Sequence, residues 1–281
     1  MKFAGTKDIK YYVKEYFTAN SQLFKGRTII DIPAGTGVSS EHLQNLGADV
    51  KAFDLFPELF RVKNMTCEQS DLSSTLPVNN GVSDFVLCQE GIEHIPDQLH
   101  LLKEFSRILK PSGTLFITTP NYSNLRSKFS YLIGESEFFQ KIMPANELDS
   151  IWFSEKDKSQ IYYGHIFLTG ILKLRTLAKL AGFKLKRIHH TRINNTSLFL
   201  LPFFYFPIWL LNFLGYKRAM RKRKDIPKAM RKGVYRELYK LSISAAILTD
   251  CHLFAEFEKE KELDEIKDSL NSLHKEANFV T

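Results

Sequence analysis

Arg27-Thr28-Ile29-Ile30-Asp31-Ile32-Pro33-Ala34-Gly35-Thr36-Gly37 is the stretch whose reading decides the fold. The apolar run Thr28 to Ile32 reads as a buried strand. It ends in a loop carrying Gly35 and Gly37, and a helical segment, Val38 to Leu46, follows. A strand–loop–helix crossover of this kind brings backbone N–H groups and a helix N-terminus up to a ligand. Glycine permits the approach because it has no Cβ and accepts positive φ. About twenty residues past Gly35 a second apolar run, Ala48 to Phe53, closes on Asp54, where an acidic side chain is placed to accept hydrogen bonds from ribose hydroxyls. The pair predicts a nucleoside-containing cofactor.

A dinucleotide fingerprint, G-x-G-x-x-G, fails here, because the third glycine position counted from Gly35 is Ser40. The pattern D-x-G-x-G-x-G fits better, reading Asp31 to Gly37 with Pro33 in place of the first glycine. At this point the chain resembles the class I S-adenosylmethionine-dependent methyltransferases. The likeness continues in order through Asp54, Ser70-Asp71-Leu72, Asp84 to Glu90, Glu93-His94-Ile95-Pro96-Asp97 and Leu109 to Leu115, and covers roughly residues 25–192. The resemblance implies that Asp31 and the loop with Gly35 and Gly37 hold the methionine end of S-adenosyl-L-methionine. It also implies that Asp54 holds the ribose and Asp71 with Leu72 the adenine, with Gln89 at the carboxyl edge of the fourth strand. Pro33 has no N–H to donate, but Gly35 and Gly37 remain, so cofactor binding is expected to survive.

The strands read from the sequence are 28–32, 49–53, 65–69, 83–88, 113–119 and 183–190, with 252–258 as a seventh that pairs antiparallel beside the sixth. Helices are expected over 8–25, 38–46, 97–109 and 167–181, the last stopping at Gly182. This alternation predicts an α/β fold, a Rossmann-like, doubly wound sheet of seven strands, mostly parallel with an antiparallel last strand. Three segments follow: a methyltransferase core over 1–192, with a lid excursion at 121–163; an apolar and basic insertion over 193–250; and a last strand with a charged helix over 251–281. At 281 residues and 44% hydrophobic composition, one large α/β domain with insertions is the economical reading. Cys67, Cys88 and Cys251 lack metal spacing, and Cys67 and Cys88 read as buried, reduced thiols. The polar N-terminus has no secretory pattern, which predicts a cytoplasmic location.

Between Asn194 and Tyr216 there is no charged residue, and Lys217, Arg218, Arg221, Lys222, Arg223 and Lys224 follow directly. The length would allow one membrane span. Pro202 and Pro207 are expected to break that helix twice. Because the strands on either side must return to one sheet, a single crossing is excluded and a segment lying in the membrane plane is favoured. The net charge of +8 and the basic run suit anionic headgroups. Long aliphatic neighbours make nucleic acid the weaker partner. The alternative is that 196–206 forms a core strand.

For chemistry, a hydroxyl acceptor must lose its proton as it attacks, and His94 has the natural pKa for that role. Packing at a helix start is its bland alternative. The string Glu90-Gly91-Ile92-Glu93-His94 also resembles the metal motif of ubiquinone-biosynthesis O-methyltransferases and small-RNA 2′-O-methyltransferases. With His165 at the place of the later histidine, that likeness implies a metal set of Glu90, Glu93, His94 and His165 for Mg²⁺ or Mn²⁺. His189, His190, His252 and His274 read as surface or strand positions. The leading expectation is O-methylation of a glycan or lipid-linked metabolite, with the enzyme peripheral on the inner face of the cell membrane. It rests on a likeness to methyltransferases of bacterial surface-polysaccharide systems. A quinone-like or soluble small-molecule acceptor is the second reading, and a non-catalytic cofactor-binding module the third.

Overall fold

The computed structural model describes residues 7–136, 144–153, 160–222, 224 and 226–275. Helix α1 (Ile9–Ala19) precedes strand β1 (Thr28–Asp31), α2 (Val38–Asn45), β2 (Asp49–Asp54), β3 (Cys67–Gln69), β4 (Ser83–Gln89), α3 (Gln98–Ile108) and β5 (Leu109–Pro120). An excursion follows with α4 (Leu125–Gly134) and a hairpin of β6 (Ile151–Phe153) and β7 (Ile161–Tyr163). The chain returns through α5 (Ile171–Leu180) and β8 (Phe183–His189). It then runs through α6 (Asn195–Lys222), α7 (Lys228–Ser242), α8 (Ala245–Thr249), β9 (His252–Lys259) and α9 (Leu263–Lys275).

The main sheet has the order β3-β2-β1-β4-β5-β9-β8. Strands β1 to β5 pair in parallel, and β9 lies antiparallel to both of its neighbours, β5 and β8. The expected doubly wound sheet of seven strands is therefore present. Strand alternation explains its two covered faces. Ile30 and Ile32 point into a core with Leu101 and Phe105 of α3 and Leu174 of α5, whereas Ile29 points the other way, to Val13 and Phe17 of α1 and Leu43 of α2. The chain reverses its winding between β1 and β4, which is where doubly wound sheets open a ligand crevice.

Several local expectations change. The helix expected over 8–25 is shorter: α1 stops at Ala19 and a 3₁₀ turn carries Ser21–Leu23, leaving Leu23 about half exposed. Helix α5 begins at Ile171 rather than 167. The segment before it is held instead by Phe167 N–H on the Glu93 carbonyl, at 3.2 Å, and by Gln98 Nε2 on the Phe167 carbonyl, at 2.6 Å. Cys88 is buried as expected, but Cys67, at the sheet's outer strand, is only partly so. The 121–163 excursion is two structures rather than one lid: α4 packs toward α6, with Phe129 and Phe204 rings 6.2 Å apart, while the β6–β7 hairpin covers the crevice. Residues 137–143 and 154–159 of that expectation lie outside the described residues.

The largest difference is the insertion. Residues 196–206 form no core strand; they belong to α6, a 28-residue helix that passes through both Pro202 and Pro207. Each proline removes one backbone bond, to the carbonyls of Leu198 and Phe203 respectively. Those residues are 49% and 64% exposed, so the freed carbonyls are not trapped in a core, and the helix continues. No residue in its apolar window is buried. Helix α7 folds back along it, with Tyr239 against Phe213 and Tyr216 and Arg231 Nη1 donating to the Met220 carbonyl at 2.6 Å. Both ends of the insertion rejoin neighbouring strands, β8 and β9.

Candidate active site

The crevice is built by the loop after β1. Gly35 adopts φ +55°, and its N–H donates to Asp54 Oδ2 at 2.7 Å. Asp54 Oδ1 accepts from Phe56 N–H at 2.8 Å. Each carboxylate oxygen keeps a second lone pair, so Asp54, which lines the cavity, can still accept from a ribose. Gly37, at φ +85°, plays a different part from the one its motif suggests. A Cβ there would lie 2.5 Å from Val62 Cγ2 and 2.7 Å from Phe60 Cε2. Its missing side chain admits the 60–62 segment over the loop rather than a ligand. The departure at Pro33 also has a partner: a Cβ on Gly91 would lie 2.6 Å from Pro33 Cδ. The glycine absent from the loop thus has a counterpart after β4, where Gly91 makes room for the proline ring.

The cavity encloses about 230 Å³, and Pro33, Asp54, Asp71, Leu72, Glu90 and His94 are among the residues that line it. Trp152 and Tyr162 of the hairpin stack at 4.6 Å and meet Phe56 at 5.4 and 5.3 Å, forming an aromatic roof. Sequence reasoning missed this roof because its three rings come from two distant segments. Asp71 Oδ1 accepts from Ser73 N–H at 2.7 Å. Asp31 and Gln89, also expected to hold the cofactor, are not among the residues lining this cavity. Asp31 accepts the Ser40 hydroxyl on Oδ2 while Oδ1 has no partner. Gln89 Oε1 accepts from Ser39 Oγ at 2.7 Å while Nε2 has none. Ser70 Oγ is likewise buried and unpartnered. Buried polar atoms are rarely left so. Three of them at the carboxyl edge of one sheet fit a polar ligand of the S-adenosylmethionine kind. Burial, with the nearby Asp54 charge, raises the Asp31 carboxyl to about 7.

Glu90, also in the lining, follows β4 at φ +53°, a strained conformation of the kind held at functional sites. Its Oε1 accepts from Thr118 Oγ1 at 3.1 Å. Glu93 Oε2 accepts from Thr119 Oγ1 at 3.0 Å, and its Oε1 has no partner. Burial raises both carboxyls, and the charge of Glu93 raises Glu90 further. His94 Nδ1 lies 2.7 Å from the Tyr163 carbonyl. A carbonyl only accepts, so Nδ1 carries the proton and Nε2 of the neutral ring presents its lone pair. The His165 ring sits 4.9 Å from that of His94. Ligand atoms of Glu93, His94 and His165 all fall within 4.8 Å of one another.

Glu90 does not join that group. It turns instead to His252, whose Nε2 is 3.5 Å from Glu90 Oε2. Expected as a surface or strand histidine, His252 is the first residue of β9, and it also reaches Glu90, which lines the cavity. The antiparallel register sets it beside Pro120 at the end of β5. His189 remains a strand residue, paired with Glu256 at 3.0 Å, and His190 is exposed beside Asp250.

A family described as "Methyltransferase domain" matches residues 6–188. A ubiquinone biosynthesis O-methyltransferase of Xanthomonas campestris is 32% identical over 128 residues, covering 42% of this chain and 53% of that protein. One from Xanthomonas euvesicatoria is 31% identical over 142 residues, covering 46% and 57%. The chain thus spans about half the length of the curated relatives it matches. Among solved structures, an S-adenosylmethionine-dependent methyltransferase of Archaeoglobus fulgidus superposes with a TM-score of 0.52 at 16% identity, over 92% of this chain and 96% of that one. The YcgJ protein of Bacillus subtilis gives 0.51 at 12% identity, over 89% and 99%. With the sheet order, the Asp54-anchored glycine loop and the family match over most of its length, the chain belongs to the class I S-adenosylmethionine-dependent methyltransferases.

Proposed function

We propose that this enzyme O-methylates a glycan or other lipid-linked metabolite at the cytoplasmic face of a membrane. The observation that carries the reading is α6, a 28-residue helix whose apolar window is wholly unburied. Phe199, Phe203, Phe206 and Leu211 are each 64–69% exposed, far more contiguous apolar surface than a monomer ordinarily offers to water. S-adenosyl-L-methionine, when bound, supplies a methyl group on a sulfonium leaving group. The chain's own residues align the acceptor, exclude water under the aromatic roof, and take the acceptor's proton. His94 Nε2 is the atom placed to receive it. The test is incubation of purified enzyme with a membrane lipid extract and methyl-deuterated cofactor. Label is expected in lipid-phase products, and label confined to water-soluble metabolites overturns the reading in favour of a soluble small-molecule acceptor.

A second reading concerns the same proton. Glu93 Oε1 is unpartnered, and the His94 tautomer, fixed by a backbone carbonyl, is the one ligating imidazoles adopt. With His165 they make a mixed O/N set suited to Mg²⁺ or Mn²⁺, which would lower the pKa of an acceptor hydroxyl. Of the four ligands implied by the motif, Glu90 falls outside the set. Chelation is therefore expected to lower activity by roughly the 10²–10⁴-fold typical of lost proton-transfer assistance, and added Mg²⁺ or Mn²⁺ to restore it. Glu93→Gln and His165→Ala should each do the same while cofactor affinity, measured by calorimetry, holds. Full turnover in excess chelator leaves His94 as the unaided base.

A further inference from the structure

The β6–β7 hairpin reaches the cofactor cavity from a segment outside the glycine loop and its acidic partners. Its two strands pair Ile151 with Tyr163 and Phe153 with Ile161. The second half of the hairpin is tied to groups in the cavity lining at two points. Tyr163 offers its carbonyl to His94 Nδ1 at 2.7 Å. Gln160, three residues earlier, donates from Nε2 to Asp71 Oδ2 at 3.4 Å. The hairpin thus touches both the expected base and the carboxylate expected to hold the adenine.

The Gln160 amide is held loosely at both ends. Its Oε1 accepts from Tyr162 Oη, also at 3.4 Å. Amide donors usually stand at about 2.7–3.2 Å and hydroxyl donors closer, so neither bond is at full strength. Asp71 is fixed from its other side, where Oδ1 accepts from Ser73 N–H at 2.7 Å. Oδ2 is therefore the oxygen turned to the hairpin. Around these polar groups the lining carries flat apolar rings, those of Phe56, Trp152 and Tyr162. Trp152 stacks on Tyr162 yet keeps 46% of its surface exposed, which leaves ring area for another planar group to cover.

We propose that Gln160 reads the edge of the cofactor's adenine together with Asp71, while Trp152 covers the base. Adenine carries two N–H donors on its exocyclic amine and an acceptor ring nitrogen to either side. Asp71 Oδ2 accepts one of those N–H groups, and Gln160 Oε1 accepts the other. Gln160 Nε2 then turns from Asp71 to the adjoining ring nitrogen. A primary amide matches this donor–acceptor pair two bonds at a time, as glutamine does with adenine in nucleic acids. The inference concerns the cofactor and is independent of the acceptor proposed above; it rests on Asp71 as the adenine carboxylate.

Calorimetry on the full chain tests this with two ligands: S-adenosylhomocysteine and its purine analogue, in which hydrogen replaces the 6-amino group. Gln160 is exposed, so its truncation leaves the fold intact. Gln160→Ala is expected to weaken S-adenosylhomocysteine about tenfold, the scale of two neutral hydrogen bonds, and the purine analogue no more than about threefold. A hairpin that only covers the cavity would lose both ligands equally, and that result overturns the proposal. Asp71→Ala should also narrow the preference for S-adenosylhomocysteine over the analogue. An unchanged preference in that variant places the adenine elsewhere and overturns Gln160 with it, leaving the methyltransferase assignment standing. Trp152 and Trp209 are the chain's two tryptophans, so Trp209→Phe leaves Trp152 as the sole emitter. Its fluorescence should fall as S-adenosylhomocysteine saturates the site, and an unmoved emission overturns its place over the base.

Discussion

Replacing Asp54 with Ala should weaken S-adenosyl-L-methionine binding at least tenfold. The carboxylate is nearly buried and anchored at both oxygens by backbone N–H groups, at 2.7 and 2.8 Å. Its loss removes acceptors for the ribose hydroxyls and also frees the Gly35 N–H that fixes the loop. Charge-assisted hydrogen bonds of this kind are worth about 1.5–3 kcal/mol. Isothermal titration of Asp54→Ala is the measurement, and unchanged affinity would mean the cofactor lies elsewhere. The same titrations from pH 6 to 8 should show wild-type affinity rising about tenfold, the change in ionised fraction of a carboxyl near 7. The sign follows from Asp31: its folded pKa is raised, so below 7 it is neutral and cannot pair with the methionine ammonium, and above 7 it can. Asp31→Asn should flatten the profile.

Replacing Phe199, Phe203, Phe206 and Leu211 together with Ser should release the enzyme from lipid. All four side chains are at least 64% exposed, so the change leaves the folded core untouched. Embedding them in a bilayer buries most of a side chain each, about 1–2 kcal/mol apiece, or roughly a thousandfold or more in partitioning for the set. Lys217, Arg218, Arg221, Lys222 and Lys224 add about 1 kcal/mol each where anionic headgroups are near. Flotation with liposomes should show wild type bound, preferentially to anionic lipid and only partly released by salt, since salt screens the second contribution and not the first. The four-serine variant should remain at the bottom of the gradient. A wild-type protein that stays monodisperse and ignores liposomes of any charge would place α6 against another protein or a second copy.

The strands themselves and the cofactor wall were legible because both are local. A buried strand, a glycine loop and an acidic end recur within about thirty residues, and each is specified by its own neighbours. Asp54, Asp71 and Leu72 accordingly line the cavity where the motif set them. What escaped the sequence depends on long-range register. His252 enters the site only because β9 pairs with β5 so that it meets Pro120, and Trp152 finds Phe56 only through a hairpin nearly a hundred residues further on. Glu90 leaves the expected ligand group for a related reason: β9 brings His252 Nε2 to within 3.5 Å of its Oε2. The two prolines misled in another way. A rule about lost hydrogen bonds predicts a break, yet the freed carbonyls sit on an exposed face, so the loss of two bonds does not end α6.

The position of β9 between β5 and β8 also bears on the order in which the enzyme is made. As the chain is synthesised, β1 to β5 can assemble as they emerge, but β8 arrives with its only sheet neighbour, β9, still untranslated. In that interval α6 leaves the ribosome, with its apolar side chains exposed before the sheet has closed. Only when residues 252–259 slide between their two older partners does His252 reach Glu90. A ribosome paused after α7 would therefore hold a chain whose apolar helix is complete while its sheet is still open.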